Sequence, residues 1–178
     1  MGRLAHRTRP GCTYFVTTDA WHKRAVFRVT EVAELVCSRI VACRDQGAYS
    51  LHAFVLMPDH LHLLLTPGNS MSLEKAMQLI KGGSSYQIRK QRGSRMEIWQ
   101  PGFHDWTIRD RDDFRAKHEY IRLNPVEARL AERPEDWPYG SARGKFAMDP
   151  MPENLRASGA EAPMDRVAGN VGAEAPTP

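Results

Sequence analysis

Hydrophobic residues along the chain follow two spacings, and the shorter one marks three predicted strands. Cys12–Thr18 is rich in the β-branched and aromatic residues that favour strands. Tyr49–Met57 and Leu61–Thr66 are further apolar runs of strand length on either side of Pro58-Asp59. Because so few residues separate these two runs, we expect them to pair as antiparallel strands.

The longer spacing predicts helices between and after these strands. Apolar residues recur three or four positions apart from Thr30 to Arg44, which indicates an amphipathic helix. A second helix is predicted after Ser72, which suits an N-cap, and Gly82-Gly83 should weaken or kink it. Glu97–Gln100 and Asp105–Arg109 suit short extended pieces. This order of elements predicts an α+β domain in which helices pack on an antiparallel sheet.

Length and cysteine content narrow the class of protein. A chain of 178 residues suits one domain with a proper hydrophobic core. No apolar run approaches the roughly 18 residues of a membrane span, and no signal peptide opens the sequence. Cys12, Cys37 and Cys43 are odd in number and lack paired metal-binding spacing, so we expect reduced thiols. These features predict a cytoplasmic protein with no membrane partner.

Charge is distributed unevenly along the chain, whose net charge is +4. Residues 1–148 contain 23 Lys and Arg against 16 Asp and Glu, whereas residues 149–178 contain 2 against 5. The basic part suits a polyanion such as nucleic acid but does not by itself establish one. The last thirty residues are rich in Ala, Gly, Glu and Pro and hold no aromatic residue. We therefore predict a domain at 1–148 and a disordered tail at 149–178.

His60 and His62 are the first candidates for chemistry. They lie in the third predicted strand region, where residues two apart point to the same face of a sheet. Two convergent imidazoles suit a divalent metal ion. Two half-buried histidines that hydrogen-bond locally would give the same pattern, so the pair leaves both interpretations open.

Tyr120 and Asn124 are the second candidates. A helix is predicted to begin after a cap at Asp110 or Asp112, and Pro125 should end or kink it. On that helix, residues four apart share a face, so a phenol and an amide oxygen could approach one metal ion. The alternative is an amphipathic tyrosine packed on the sheet, with the asparagine capping the helix end.

Five segments, in this order, carry a resemblance to a known family. They are Pro10–Thr18, Leu56–Leu65, Trp99–Asp105, Tyr120–Val126 and Trp137–Ser141. Together they resemble the single-tyrosine HUH transposases of the insertion sequence 200-like type, and among these the REP-associated tyrosine transposases. The resemblance covers roughly residues 3–146. It implies a ferredoxin-like or RRM-like HUH nuclease core with both histidines on a central strand.

The resemblance also implies an activity: metal-dependent cleavage and rejoining of single-stranded DNA at REP-like hairpins. Tyr120 would be the nucleophile and would form a 5′-phosphotyrosine intermediate. His60 and His62 would bind the metal ion, and Asn124 would be the third ligand, because relatives carry Gln or Asn four residues after the tyrosine. A neutral amide ligand suits Mg²⁺ or Mn²⁺, although two imidazoles also admit Zn²⁺ or Ni²⁺.

Several basic and aromatic residues are candidates for contact with single-stranded or hairpin DNA. The basic candidates are Lys81, Arg89, Lys90, Arg92, Arg109, Arg115 and Arg122. The aromatic candidates, which could stack on unpaired bases, are Tyr86, Trp99, Phe103 and Trp106. A solvated helix face is the alternative for the first set, and core packing is expected for at least two of the second.

Two other functions remain open at this stage. One is a module that binds hairpin DNA without cleaving it, and the other is a small-molecule metalloenzyme built on the two histidines. The complete set of proposed catalytic groups disfavours the first, and the basic domain disfavours the second. The target sequence and the choice between monomer and homodimer are left open.

Overall fold

The computed structural model describes residues 8–93 and 96–157, which form a four-stranded antiparallel sheet with helices on both faces. The strand order is β2-β3-β1-β4. The strands are β1 (Tyr14–Asp19), β2 (Tyr49–Leu56), β3 (His60–Pro67) and β4 (His104–Thr107). The predicted α+β class and the antiparallel pairing of β2 with β3 are confirmed.

Within the described residues four α-helices accompany the sheet, and side-chain caps fix two of their starts. They are α1 (Thr30–Asp45), α2 (Leu73–Arg92), α3 (Arg111–Glu127) and α4 (Glu153–Ala157). The Ser72 hydroxyl accepts a hydrogen bond from the Lys75 amide at 3.1 Å, as expected of an N-cap. Of the two caps predicted for α3, Asp110 is the one used, and its carboxylate accepts from the Asp113 amide at 2.8 Å.

Neither Gly82-Gly83 nor Pro125 interrupts its helix. α2 runs unbroken through Gly82-Gly83, where a Cβ on Gly83 would overlap the Arg39 guanidinium, so this glycine permits close packing of α1 on α2. Pro125 lies inside α3, which continues to Glu127. It stands in the last turn, where its missing N–H removes a single helical hydrogen bond, and its carbonyl accepts from the Leu130 amide at 2.8 Å.

The two faces of the sheet carry different cores. Leu61, Leu63 and Leu65 of β3 point into the larger core, which α1 and α2 cover. The intervening Leu64 points into a smaller core on the other face, where α3 packs on β2 and β3. His62 lies between Leu61 and Leu63 and therefore faces the smaller core.

Packing against the domain continues past the predicted boundary at residue 148. The Asp149 carboxylate accepts from Arg44 at 2.6 and 2.9 Å and from the Leu51 amide at 2.7 Å. Leu155, on α4, is buried in the smaller core. The boundary is therefore too early, because composition gives no sign that Asp149 has a partner on α1. Residues 158–178 of the predicted tail lie outside the described residues.

Two further expectations concern the cysteines and membranes. All three cysteines carry free thiols, as predicted. In the parts of the chain that the structure describes, every helix is too short or too polar to cross a bilayer.

Candidate active site

His60 and His62 point to the same face of β3, as the two-residue spacing predicts. Their ring centroids are 4.7 Å apart, with the planes at 76°. β3 lies between β2 and β1, so the pair stands on a central strand of the sheet. His62 is only 5 % exposed, whereas the His60 side chain reaches solvent.

Hydrogen bonds orient both imidazoles through the same ring nitrogen. Nδ1 of His60 donates to the Asp59 carboxylate at 2.6 Å, which fixes the orientation of the ring. Nδ1 of His62 is 2.8 Å from the Thr17 hydroxyl, which stands directly opposite it on β1. Thr17 was not identified from the sequence, because nothing local reveals the register between β1 and β3. With Nδ1 engaged in both rings, Nε2 remains as the atom for a further ligand.

The properties of His62 fit a metal ligand. Its Nε2 is buried and has no hydrogen-bond partner among the described residues. Burial, together with the nearby His60, lowers the pKa of His62 to about 3, so the ring is neutral at physiological pH. A neutral imidazole with an unused nitrogen is the form that binds metal ions. Residues 8–93 and 96–157 contain no group of three His, Cys, Asp or Glu side chains arranged for a metal ion.

Tyr120 comes from a different element and meets the histidine pair. Its ring centroid on α3 is 5.2 Å from that of His62, with the planes at 71°. The Tyr120 side chain is 40 % exposed, so it is not a tyrosine buried in the sheet-facing core. Asn124 follows one helical turn later and is 9 % exposed. The structure thus unites the two histidines with the phenol, and the amide lies on the next turn of the same helix.

Phe15 and Lys117 extend this cluster, and neither was identified from the sequence. The Phe15 ring stacks on His62 at 5.4 Å and meets the edge of Tyr120 at 5.8 Å. Nζ of Lys117 lies 4.8 Å from the centroid of Phe15. The three-residue spacing between Lys117 and Tyr120 could have indicated a shared helix face, but the position of Phe15 depends on strand register.

The basic residues predicted near the tyrosine are mostly engaged in ion pairs. Arg109 donates to both oxygens of Asp113 at 2.6 and 3.0 Å. Arg122 donates to both oxygens of Glu119 at 2.8 and 2.7 Å. Arg115 lies exposed on α3.

The basic residues predicted on α2 also divide into side chains that contact protein groups and side chains that are exposed. Lys81 is half-buried, and its ammonium donates to the carbonyls of Gln100 and Gly102, so it holds that loop. Burial lowers the pKa of Lys81 to about 8. Arg89 pairs with Glu97 at 3.1 Å. The remaining two, Lys90 and Arg92, are exposed in the last turns of the helix.

Of the aromatic candidates, one is buried, one is partly buried and two are exposed. Trp99 is buried and donates its indole N–H to Ser84 at 3.0 Å, and Phe103 packs against the larger core. Both therefore have the structural role expected for at least two of the four. Trp106 and Tyr86 are exposed, on β4 and α2 respectively.

Comparison with known sequences gives matches over most of the chain. Residues 10–124 match the family described as "Transposase IS200 like". The chain is 28 % identical over 145 residues to the REP-associated tyrosine transposase of Escherichia coli K12, covering 78 % of this chain and 84 % of that protein. It is 30 % identical over 112 residues to a putative REP-associated tyrosine transposase of Haemophilus influenzae, covering 57 % and 64 % respectively.

Comparison with solved structures gives the same fold. The chain is similar to a REP-associated tyrosine transposase bound to a REP hairpin, with a TM-score of 0.65. The match covers 85 % of this chain and 92 % of the other, at 24 % sequence identity.

Proposed function

The chain belongs to the IS200-like transposase family, and from this premise we propose that it cleaves and rejoins single-stranded DNA at hairpin sequences through a covalent tyrosyl intermediate. The resemblance to the REP-associated tyrosine transposases found in the sequence is confirmed by the family match and by the relatives. The observation that carries the proposal is the convergence of the exposed Tyr120 phenol, from α3, with the His60 and His62 imidazoles of β3.

A divalent metal ion is part of the proposal. His60 and His62 would hold it through Nε2, and Asn124 would supply an amide oxygen. The buried Nε2 of His62, which has no partner within the part of the chain that the structure describes, supports this assignment, as does the neutral state of that ring. Mg²⁺ or Mn²⁺ would polarise a phosphoryl oxygen as a Lewis acid when bound. Asp59 and Thr17 would keep the two rings in place by holding their Nδ1 atoms.

Tyr120 is the proposed nucleophile. Its phenolic oxygen would form a bond to the phosphorus of the cleaved phosphodiester, while the bond from phosphorus to the 3′-oxygen breaks. The phenol loses its proton and the departing 3′-oxygen gains one, so the products are a 5′-phosphotyrosine and a free 3′-hydroxyl. The exposure of the side chain supports this role, because a strand must reach it. Attack of a 3′-hydroxyl on the phosphotyrosine would reverse the step and rejoin DNA without an energy source.

The proposed partner is a DNA hairpin with a single-stranded flank. Two relatives carry REP association in their names, and the solved relative is bound to a REP hairpin. All seven basic residues predicted from the sequence are retained as candidate contacts. Of these, Lys90, Arg92 and Arg115 are exposed, and Lys81, Arg89, Arg109 and Arg122 would have to exchange their present partners for DNA. We place the activity in the cytoplasm, and leave monomer or homodimer open.

Replacement of Tyr120 by Phe tests the proposal, because it removes one hydroxyl and keeps the ring. The variant should bind a hairpin substrate with wild-type affinity and lose all cleavage. It should also lose the covalent protein–DNA adduct that survives denaturing electrophoresis. Tyr86→Phe, which alters another exposed tyrosine, is the control and should retain the adduct. Cleavage by Tyr120→Phe, or an adduct mapped to Tyr86, would overturn the mechanism.

The same assays distinguish the two alternative functions. A wild type that binds hairpins and never cleaves them with Mg²⁺ or Mn²⁺ would be a binding module. A wild type that binds Mn²⁺ but no DNA would point to a small-molecule metalloenzyme.

A further inference from the structure

We propose that Trp106, Phe15 and Lys117 form a platform that holds an unpaired nucleotide beside the phosphate to be cleaved. This inference rests on the proposed function and adds a binding site to it. Trp106 would stack on the base, Lys117 would contact a phosphate, and Phe15 would join the platform to the catalytic groups.

The exposure of Trp106 is the first observation. The side chain is 52 % exposed on β4, a four-residue strand at the edge of the sheet. Burial of a tryptophan ring normally stabilises a folded protein, whereas Trp106 leaves much of its apolar ring surface in contact with water. An exposed aromatic ring beside a proposed active site is therefore a candidate contact surface for a ligand.

Strand register places Trp106 next to the proposed catalytic groups. Trp106 stands directly opposite Phe15 in the pairing of β4 with β1. Phe15 in turn stacks on His62 at 5.4 Å and meets Tyr120 at 5.8 Å. Because neighbouring strands are about 4.8 Å apart, Trp106 lies on the order of 10 Å from His62. One or two nucleotides of an extended strand span that distance.

Lys117 gives the platform its positive charge. Its Nζ lies 4.8 Å from the Phe15 centroid and 5.7 Å from the Trp106 centroid, so it sits over both rings. The guanidinium of Arg109 is 5.9 Å from the Trp106 ring, but it forms an ion pair with Asp113. Lys117 is thus placed to contact the phosphate of a nucleotide whose base stacks on Trp106.

An aromatic face with a neighbouring cation matches the chemistry of a single-stranded nucleotide. Every base has a π-face that stacks on an aromatic ring, and the adjoining phosphate pairs with a cation. In a duplex the base faces are already stacked on each other, so the platform would select the unpaired flank over the hairpin stem. Stacking tolerates any base, so the contact would fix the position of the strand more than its sequence.

Site-resolved fluorescence tests the inference. The probe is a synthetic REP-type hairpin with a single-stranded flank that contains 2-aminopurine at one flank position at a time. Binding of the wild type should change the fluorescence at one or two adjacent positions. Trp106→Ala should abolish that change and weaken binding of the flanked hairpin about tenfold, whereas Trp106→Phe should restore most of both. A hairpin without a flank should bind wild type and Trp106→Ala equally.

Lys117→Ala tests the phosphate contact against a matched control. It should lower the slope of log affinity against log salt by about 0.7, the amount expected for one phosphate on a single strand. Lys145→Ala removes a lysine that lies 5.6 Å from the Phe146 ring, the same arrangement on another surface, and should leave the slope unchanged.

The outcomes separate this inference from the function on which it rests. If the wild type binds and cleaves DNA, and Trp106→Ala binds both the flanked and the unflanked hairpin as tightly as the wild type does, the platform is overturned. The transposase proposal would then remain intact. Wild type that binds neither probe would overturn both. An equal loss of affinity for both hairpins would also overturn the platform, because it would indicate a general structural effect.

Discussion

The two faces of the sheet differ in what they bury. The face under α1 and α2 is closed by a continuous apolar core, to which β3 contributes Leu61, Leu63 and Leu65. The face under α3 has a smaller core and carries His60 and His62 beside the exposed Tyr120. Both the core leucines and the two histidines come from β3, because alternate residues of a strand point to opposite faces of the sheet. Stability and proposed chemistry are therefore assigned to different residues of β3, and the two can be perturbed separately.

Removal of an imidazole should have the largest effect, and it should fall on activity. His62→Ala and His60→Ala are each expected to lower cleavage by about a thousandfold or more, because the metal ion would lose a ligand. Stability should change less than after loss of a core leucine. Calorimetric titration with Mn²⁺ and unfolding in urea measure the two effects. Equal Mn²⁺ binding by wild type and the double variant would show that the ligand assignment is wrong.

Truncation of the adjacent leucine should give the opposite result. Leu63 is fully buried in the larger core, so Leu63→Ala should lower the free energy of unfolding by about 2–5 kcal/mol. Cleavage measured well below the melting temperature should stay near the wild-type rate. A large loss of cleavage in a folded Leu63→Ala would mean that the two faces are coupled.

Neighbouring threonines on β1 give a finer comparison. Thr17→Val removes the hydroxyl that holds Nδ1 of His62 at 2.8 Å, and should reduce Mn²⁺ affinity or cleavage about 10–100-fold. Thr18 is buried and points to the other face, where its hydroxyl reaches the Gly102 carbonyl at 3.5 Å. Thr18→Val should leave metal binding unchanged. Similar losses in both variants would argue against an orienting role for Thr17.

The smallest predicted effect is a change in pH dependence. Burial lowers the pKa of His52 below its usual value near 6.5, so the unfolded chain gains a proton that the folded chain lacks. The free energy of unfolding should therefore decrease as the pH is lowered through about 6.5, by up to about 1.4 kcal/mol per pH unit for this group. His52→Gln should flatten that slope between pH 7.5 and 5.5 in urea unfolding. An unchanged slope would assign the acid sensitivity to other groups.

Local patterns predicted the parts of this molecule that depend on local geometry. The common face of His60 and His62 follows from strand periodicity, and the caps at Ser72 and Asp110 follow from side-chain chemistry. Tyr120 and Asn124 share a helix for the same reason, although the expectation that Tyr120 lies beside the histidines came from the family resemblance.

Features that depend on tertiary contact could not be predicted. Thr17 and Phe15 reach the site because of the register between β1 and β3, and no pattern within β1 fixes that register. Lys81 has the charge of a DNA contact, yet it is half-buried and bound to backbone carbonyls. Asp149 lies in a segment of tail-like composition, and only its partner Arg44, far away in sequence, shows that it belongs to the domain.

The placement of β1 at the centre of the sheet has a consequence for synthesis of the chain. β1 is made before its two neighbours, β3 and β4, and before α3, which carries the proposed nucleophile. Contacts between such distant segments form slowly, because long loops must close first. A nascent chain that ends before residue 111 contains both histidines and Thr17 but not the phenol. The proposed cleavage of DNA would thus become possible only once the domain is nearly complete.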